Sequence, residues 1–269
     1  MDASHQDGPG PGQGHNPACV DLEVLHNSAE GTKGLFHLHL EPVDWEWQPG
    51  QFIMVRPSGW GRDPVWPRPF SISDLDESSL RLFIQVMGRG TSLLAGLRPG
   101  DRVTVWGPLG HGFHVPAGTP TLLLAGGIGI APFVGLVRRH PSPDQVALLL
   151  GHRLDLADYP FAFFSSSIEA QALRQTTQSD IEDFVLVLKE RFSSMPPNGL
   201  VLACGPAPFL GVVQRLALST GIRTQLSLEN RMACGVGACL GCVVQDSRGE
   251  LVQTCTRGPV FWADEVRLP

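Results

Sequence analysis

Four of the six cysteines in this 269-residue chain fall close together near its end, at Cys234, Cys239, Cys242 and Cys255. Their spacing, C-x4-C-x2-C-x12-C, is the plant-type arrangement in which four thiolates hold a [2Fe-2S] cluster. Gly235, Gly237 and Gly241 separate the first three. Glycine takes backbone angles that a side chain forbids, so such a loop can wrap a cluster and aim N–H groups at its sulfides. A zinc site and reduced structural thiols are the alternatives. Zinc sites usually pair two short Cys-x2–4-Cys hooks, whereas here three ligands share one loop and the fourth stands alone. Of the other cysteines, Cys19 adjoins a Gly/Pro-rich start, and Cys204 ends an apolar run as a small buried thiol would.

Three further stretches place polar groups where a nucleotide needs them. Gly126-Gly127-Ile128-Gly129-Ile130-Ala131-Pro132 follows an apolar run and precedes a helical pattern. A strand, a glycine turn and a helix start leave free N–H groups for a pyrophosphate, although tight packing alone also selects such glycines. In Arg68-Pro69-Phe70-Ser71 the arginine suits a bidentate phosphate contact and the serine a ring nitrogen; a solvated strand face is the plainer alternative. Gly90-Thr91 opens the one helix expected nearby, either as a phosphate-facing turn or as an ordinary cap.

Holding these groups takes two kinds of scaffold. Short apolar runs at 20–25, 34–40, 51–56, 70–73, 80–85 and 103–106, separated by Gly, Pro and Asp, predict an antiparallel β-barrel, interrupted by a helix at 91–96. From residue 119 compact runs at 121–125, 145–150, 184–188 and 200–203 alternate with helical stretches at 132–139, 166–175 and 208–219, which predicts a parallel α/β sheet. The cysteines and a final apolar run at 260–266 form a small C-terminal lobe. The expected division is a disordered tail at 1–17, a barrel at 18–117, an α/β domain at 118–221 and the cysteine lobe at 222–269.

Composition narrows the function. The net charge of −6 leaves no surplus of cations for nucleic acid or anionic lipid. The longest nearly apolar run, 122–137, is short and broken by glycines and a proline, so no membrane span is expected. The first residues lack the basic and apolar regions of an export signal, and a cytoplasmic location follows. With 31 glycines and 23 prolines the chain is no helical bundle.

Taken in order, Arg68-Pro-Phe-Ser71, Gly88-Arg-Gly-Thr91, the 126–132 glycine turn, Cys204-Gly205-Pro206 and the cysteine loop resemble the ferredoxin reductase-like flavoproteins. More narrowly, Ser227-Leu-Glu-Asn-Arg-Met-Ala-Cys234 with its cysteine loop, and Cys255-Thr-Arg-Gly-Pro-Val-Phe261, resemble the electron-transfer subunits of type B dihydroorotate dehydrogenases. The resemblance implies FAD on the barrel, with Arg68, Pro69, Phe70 and Ser71 at its pyrophosphate and isoalloxazine, Phe83, Ile84 and Gln85 along it, and Gly90 and Thr91 at its phosphates. It implies NAD at Gly126, Gly127 and Gly129, with Cys204, Gly205 and Pro206 near the hydride-transfer position. Cys234, Cys239, Cys242 and Cys255 would hold a [2Fe-2S] cluster facing a catalytic subunit that carries FMN, in a heterotetramer of two such pairs. No residue here is then expected to be a catalytic acid or base.

Two departures stand out: Gln85 occupies a position commonly held by arginine in that family, and Arg257 one commonly acidic. Asp155 and Asp158 after Gly151-His152-Arg153 favour NAD over NADP. The rival expectations are a nicotinamide-linked subunit of a hydrogenase or ferredoxin-dependent complex and, outside the enzymes, a redox-sensing or zinc-binding module.

Overall fold

Buried residues recur at every second position along the first strands, as with Phe36, Leu38 and Leu40, and this alternation builds a one-faced sheet. The computed structural model describes residues 18–29 and 34–268, so the tail expected at 1–17 lies outside the described residues. Strands β1 (Ala18–Asn27), β2 (Leu35–Leu40), β3 (Phe52–Pro57), β4 (Arg68–Ser71), β5 (Asp74–Leu75), β6 (Leu80–Gln85) and β7 (Arg102–Leu109) form one antiparallel sheet in the order β4-β3-β7-β1-β2-β6-β5. It curls until β4 meets β6, around a core that includes Val24, Leu38, Ile53, Leu82 and Val105. The expected barrel is thus a curled seven-stranded sheet, with helix α1 (Arg89–Ala95) between β6 and β7.

The remaining strands are β8 (Thr121–Gly126), β9 (Val146–His152), β10 (Glu169–Arg174), β11 (Leu200–Cys204), β12 (Arg223–Ser227), β13 (Val243–Asp246), β14 (Leu251–Gln253), β15 (Val260–Trp262) and β16 (Val266–Arg267). The helices are α2 (Phe133–Arg139), α3 (Phe161–Ser167), α4 (Gln178–Ser194), α5 (Ala207–Thr220) and α6 (Thr254–Arg257). A second sheet runs β10-β9-β8-β11-β12-β15, its first five strands parallel and β15 antiparallel to β12. A third, small sheet runs β14-β13-β16. No helix among the described residues is long and apolar enough to cross a membrane.

Three expectations need correction. The run 184–188 lies inside α4: Thr177 and Asp180 cap it reciprocally, and Phe184, Leu188 and Phe192 bury one face at helical spacing. The helix expected at 166–175 ends with α3 at Ser167, and the rest is β10, pairing Glu169 to Arg174 with β9 in parallel. Its Glu, Ala, Gln and Leu favour helices in isolation, but the open edge of β9 overrides that preference. Finally, the cysteine lobe does not stand apart from residue 222. β12 and β15 belong to the second sheet, so the loop hangs between two of its strands, and the run 260–266 is split between two sheets.

Helix α2 docks the second sheet's layer onto the barrel. Gly135 N–H donates to the Ser73 carbonyl at 2.8 Å, and Arg139 donates to the Leu75 carbonyl at 2.5 Å while lying over the Trp47 ring.

Candidate functional site

A cleft of about 650 Å³ opens where the barrel, the second sheet and the cysteine lobe meet. β4 brings Arg68, Pro69, Phe70 and Ser71 to it, and β6 brings Phe83, Ile84 and Gln85. Gly90 and Thr91 at the start of α1, Gly129, Cys204 and Gly205 complete the residues expected there. Gly126, Gly127 and Pro206 do not line it; Gly126 lies against Pro206 behind the glycine turn. The Arg68 guanidinium donates to the Trp66 and Pro67 carbonyls at 2.8 and 3.1 Å. It crosses Gly90 so closely that a Cβ there would stand 2.6 Å from Nε. The Thr91 hydroxyl accepts from the N–H groups of Met87 and Gly88 at 2.8 and 3.1 Å, which fixes the turn.

Parallel pairing sets Cys204 beside Ser227 across β11 and β12. Burial pushes the Cys204 thiol up to about 12; a hydrogen bond with Ser227 pulls the other way and the charge of Glu229 adds to the rise. The thiol therefore stays protonated at neutral pH. After β9, Asp155 accepts from the Ala157 N–H at 3.0 Å, and His152 Nδ1 lies 2.9 Å from the Leu154 carbonyl oxygen.

The four clustered cysteines meet as two pairs. Cys234 Sγ and Cys239 Sγ are 3.4 Å apart at the surface, while Cys242 and Cys255 are buried together in one apolar cluster. Backbone N–H groups converge on the sulfurs: Val236 and Cys239 each donate to Cys234 Sγ at 3.4 Å, and Gly237 to Cys255 Sγ at 3.1 Å. Hydrogen bonds from the backbone of Cys234 and Gly241 bring the Cys239 thiol down to about 7. Burial, and then the neighbouring Cys242, push Cys255 up to about 12. Among the described residues no group of three or more His, Cys, Asp or Glu is arranged to hold one metal ion. Two pairs surrounded by amide donors fit a two-iron cluster, which shares its four thiolates between two metals. Phe52, Met54 and Leu109 back the buried pair, and Trp106 Nε1 donates to the Cys234 carbonyl at 3.1 Å, so the loop rests on the outside of the barrel.

The model for the iron-sulfur cluster binding domain of dihydroorotate dehydrogenase B matches residues 229–267. Over 234 residues the chain is 32% identical to the dihydroorotate dehydrogenase B (NAD(+)) electron transfer subunit of Caldanaerobacter subterraneus subsp. tengcongensis, covering 83% of this chain and 91% of that one. The chain belongs to the dihydroorotate dehydrogenase B electron transfer subunit family. The corresponding subunit of Desulforamulus reducens is 36% identical over 225 residues, covering 79% of this chain and 84% of its own. A solved NADH-dependent reduced ferredoxin-NADP oxidoreductase shares the fold at a TM-score of 0.77 and 23% identity, covering 92% of this chain and 90% of that one.

In this member of the electron transfer subunit family the cleft has further walls, to which neither the motifs nor the resemblance assigned a role. Ser227, Glu229, Asn230, Arg231 and Met232 line it, as does Pro259, and Trp66 and Met87 stand at its more exposed end. The signal was the position of residues 227–232, a polar run tying the last parallel strand to the first clustered cysteine and so bound to pass between the two sites.

Proposed function

We propose that this chain is the electron-transfer half of a two-subunit dihydroorotate dehydrogenase, taking electrons from a dihydroorotate-oxidising partner and delivering them to NAD+. The observation that carries this reading is the placement of the 227–232 strap, which walls the cleft and runs directly into the cysteine loop. On this reading Arg68 and the Gly90-Thr91 turn hold the FAD pyrophosphate. Phe70, Ser71 and Phe83 to Gln85 hold its ring system. The two thiol pairs hold a [2Fe-2S] cluster. Bound there, the flavin supplies the exchange between single electrons and hydride that neither an iron-sulfur cluster nor a nicotinamide performs alone.

The chain's own residues bind, orient and exclude water. Arg68 is preset by its two carbonyl contacts, so little order is lost when it meets a phosphate. The Gly126, Gly127 and Gly129 turn is assigned to the nicotinamide dinucleotide. Cys204 and Gly205 border the place where nicotinamide meets flavin, and a neutral thiol there adds no charge to oppose hydride transfer. Residue by residue, the site thus needs no acid or base.

The partner is proposed to carry FMN and to form a heterotetramer of two such pairs in the cytoplasm. Val236, Leu240 and Leu251, 49%, 60% and 66% exposed around the cysteine lobe, are assigned to that contact. Co-expression with a candidate catalytic subunit under anaerobic conditions tests the whole reading. The expected result is a yellow-brown complex that forms orotate with NAD+. A purified chain lacking iron and sulfide, or one that reduces ferredoxin and never exchanges electrons with a dihydroorotate-oxidising subunit, would overturn it.

A further inference from the structure

The cleft and the buried thiols share a thin wall. Phe52 and Met232 line the cleft and also pack in the apolar cluster that holds Cys242 and Cys255. Two residues before Met232 in the strap stands Asn230, itself part of the cleft lining. Its amide nitrogen donates to Thr254 Oγ1 at 2.7 Å and reaches the Cys242 carbonyl at 3.4 Å. Thr254 is fully buried, directly precedes Cys255, and donates its own N–H to the same Cys242 carbonyl at 2.8 Å. One side chain in the cleft wall is therefore tied to the backbone of one buried cysteine and to the neighbour of the other.

Packed interiors yield little, so a wall this thin transmits displacement from one face to the other. A rigid ligand in the cleft fixes the strap; the strap fixes Asn230; Asn230 fixes the segments that carry Cys242 and Cys255. We propose that Asn230 is a positioning residue that couples the two sites, so that flavin in the cleft tightens cluster retention and the assembled cluster tightens flavin binding. The inference rests on the assignment of flavin to the cleft and of the cluster to the thiols. Coupling of binding free energies is reciprocal, so either direction can be read.

The test measures the FAD dissociation constant, by flavin fluorescence, in cluster-containing and cluster-free protein. It is paired with the rate of iron release to a chelator in flavin-loaded and flavin-stripped protein. In the wild type the cluster should tighten FAD by about tenfold, inside the usual range of such couplings, and FAD should slow iron release. Asn230→Ala should bring each pair of values together while both cofactors still bind. Asn230→Leu keeps the approximate outline of the side chain and has neither donor nor acceptor, so it should behave like the alanine variant and serves in its place if that variant does not fold. Equal FAD affinities with and without cluster in the wild type, or a ratio that survives in the variants, would overturn the coupling alone. A wild type that takes up neither iron nor flavin would instead remove the site assignments, and the coupling with them.

Discussion

The carboxylate of Asp74 on the barrel meets Arg138 of α2 at 3.1 Å, tying the two halves of the molecule through an acid whose side chain is 5% exposed. The same carboxylate grips Arg81 of β6 at 2.7 Å. Removing one member of a buried pair strands the others and costs about 3–5 kcal/mol. Arg81 retains Asp76 as a second partner, so Asp74→Asn is expected at the low end of that range. Arg138 is 46% exposed, and Arg138→Gln should cost no more than about 1 kcal/mol, as for surface pairs. Denaturant unfolding of the two variants checks the order, and equal losses would show that the junction does not depend on Asp74.

Gly90 leaves room for Arg68 and for nothing else. A methyl group at this position would stand 2.6 Å from Nε and 3.0 Å from Cζ, so Gly90→Ala must displace the guanidinium. Hydrogen bonds to charged groups contribute about 1.5–3 kcal/mol, and the expected weakening of FAD binding is therefore about tenfold or more. Gly59→Ala, where nothing lies within 4 Å of the added carbon, is the control and should bind FAD like the wild type. Equilibrium titration with FAD decides between them.

What the sequence made legible was what local chemistry dictates. The cysteine spacing and the Arg68 to Ser71 strand each announce themselves within a few residues, and the curled sheet follows from alternation along β1, β2 and β6. The errors came where long-range pairing decides. Residues 169–174 carry helix formers yet complete a sheet edge, and Phe184 to Leu188 has the composition of a strand but buries only one helical face. The strap at 227–232 belongs to the run that carries the family resemblance, yet its residue types alone announce no role. Its importance comes from passing between two sites that only the folded chain brings together.

Two histidines of β2, His37 and His39, packed beside His26 of β1, make stability depend on pH. His26 and His39 lie 5.3 Å apart ring to ring, and His37 and His39 6.3 Å apart. Burial first, then the charges of His26 and Arg81, hold the folded His39 at about 4, below its ordinary value of 6.5, and burial and His26 lower His37 as well. The unfolded chain therefore binds protons first as pH falls. The contribution of His39 to stability is complete above pH 6.5 and is lost as pH falls from there toward 4. The melting temperature should fall across this window, and His39→Asn should flatten the fall. Parallel curves for the two proteins would exclude His39 as the source.

Gly235 answers to two demands at once, which separates the cluster loop from the cleft experimentally. Its φ of +73° lies in the left-handed region, costing a side chain about 1–2 kcal/mol. An added Cβ would also fall 2.6 Å from Met54 Cγ, on a side chain that is fully buried. Gly235→Ala should thus lower the iron content of purified protein while FAD content holds, because Met54 packs behind the thiols and does not line the cleft. Met54→Ala in the same chain removes the closest collision and leaves the tight approach to Leu109 Cδ1 at 3.1 Å and the backbone strain. The double variant should recover part of the iron and not all of it. Full recovery would assign the whole effect to the Met54 collision, and no recovery would assign it to the backbone and Leu109; iron and flavin analysis of the two variants beside the wild type distinguishes the cases.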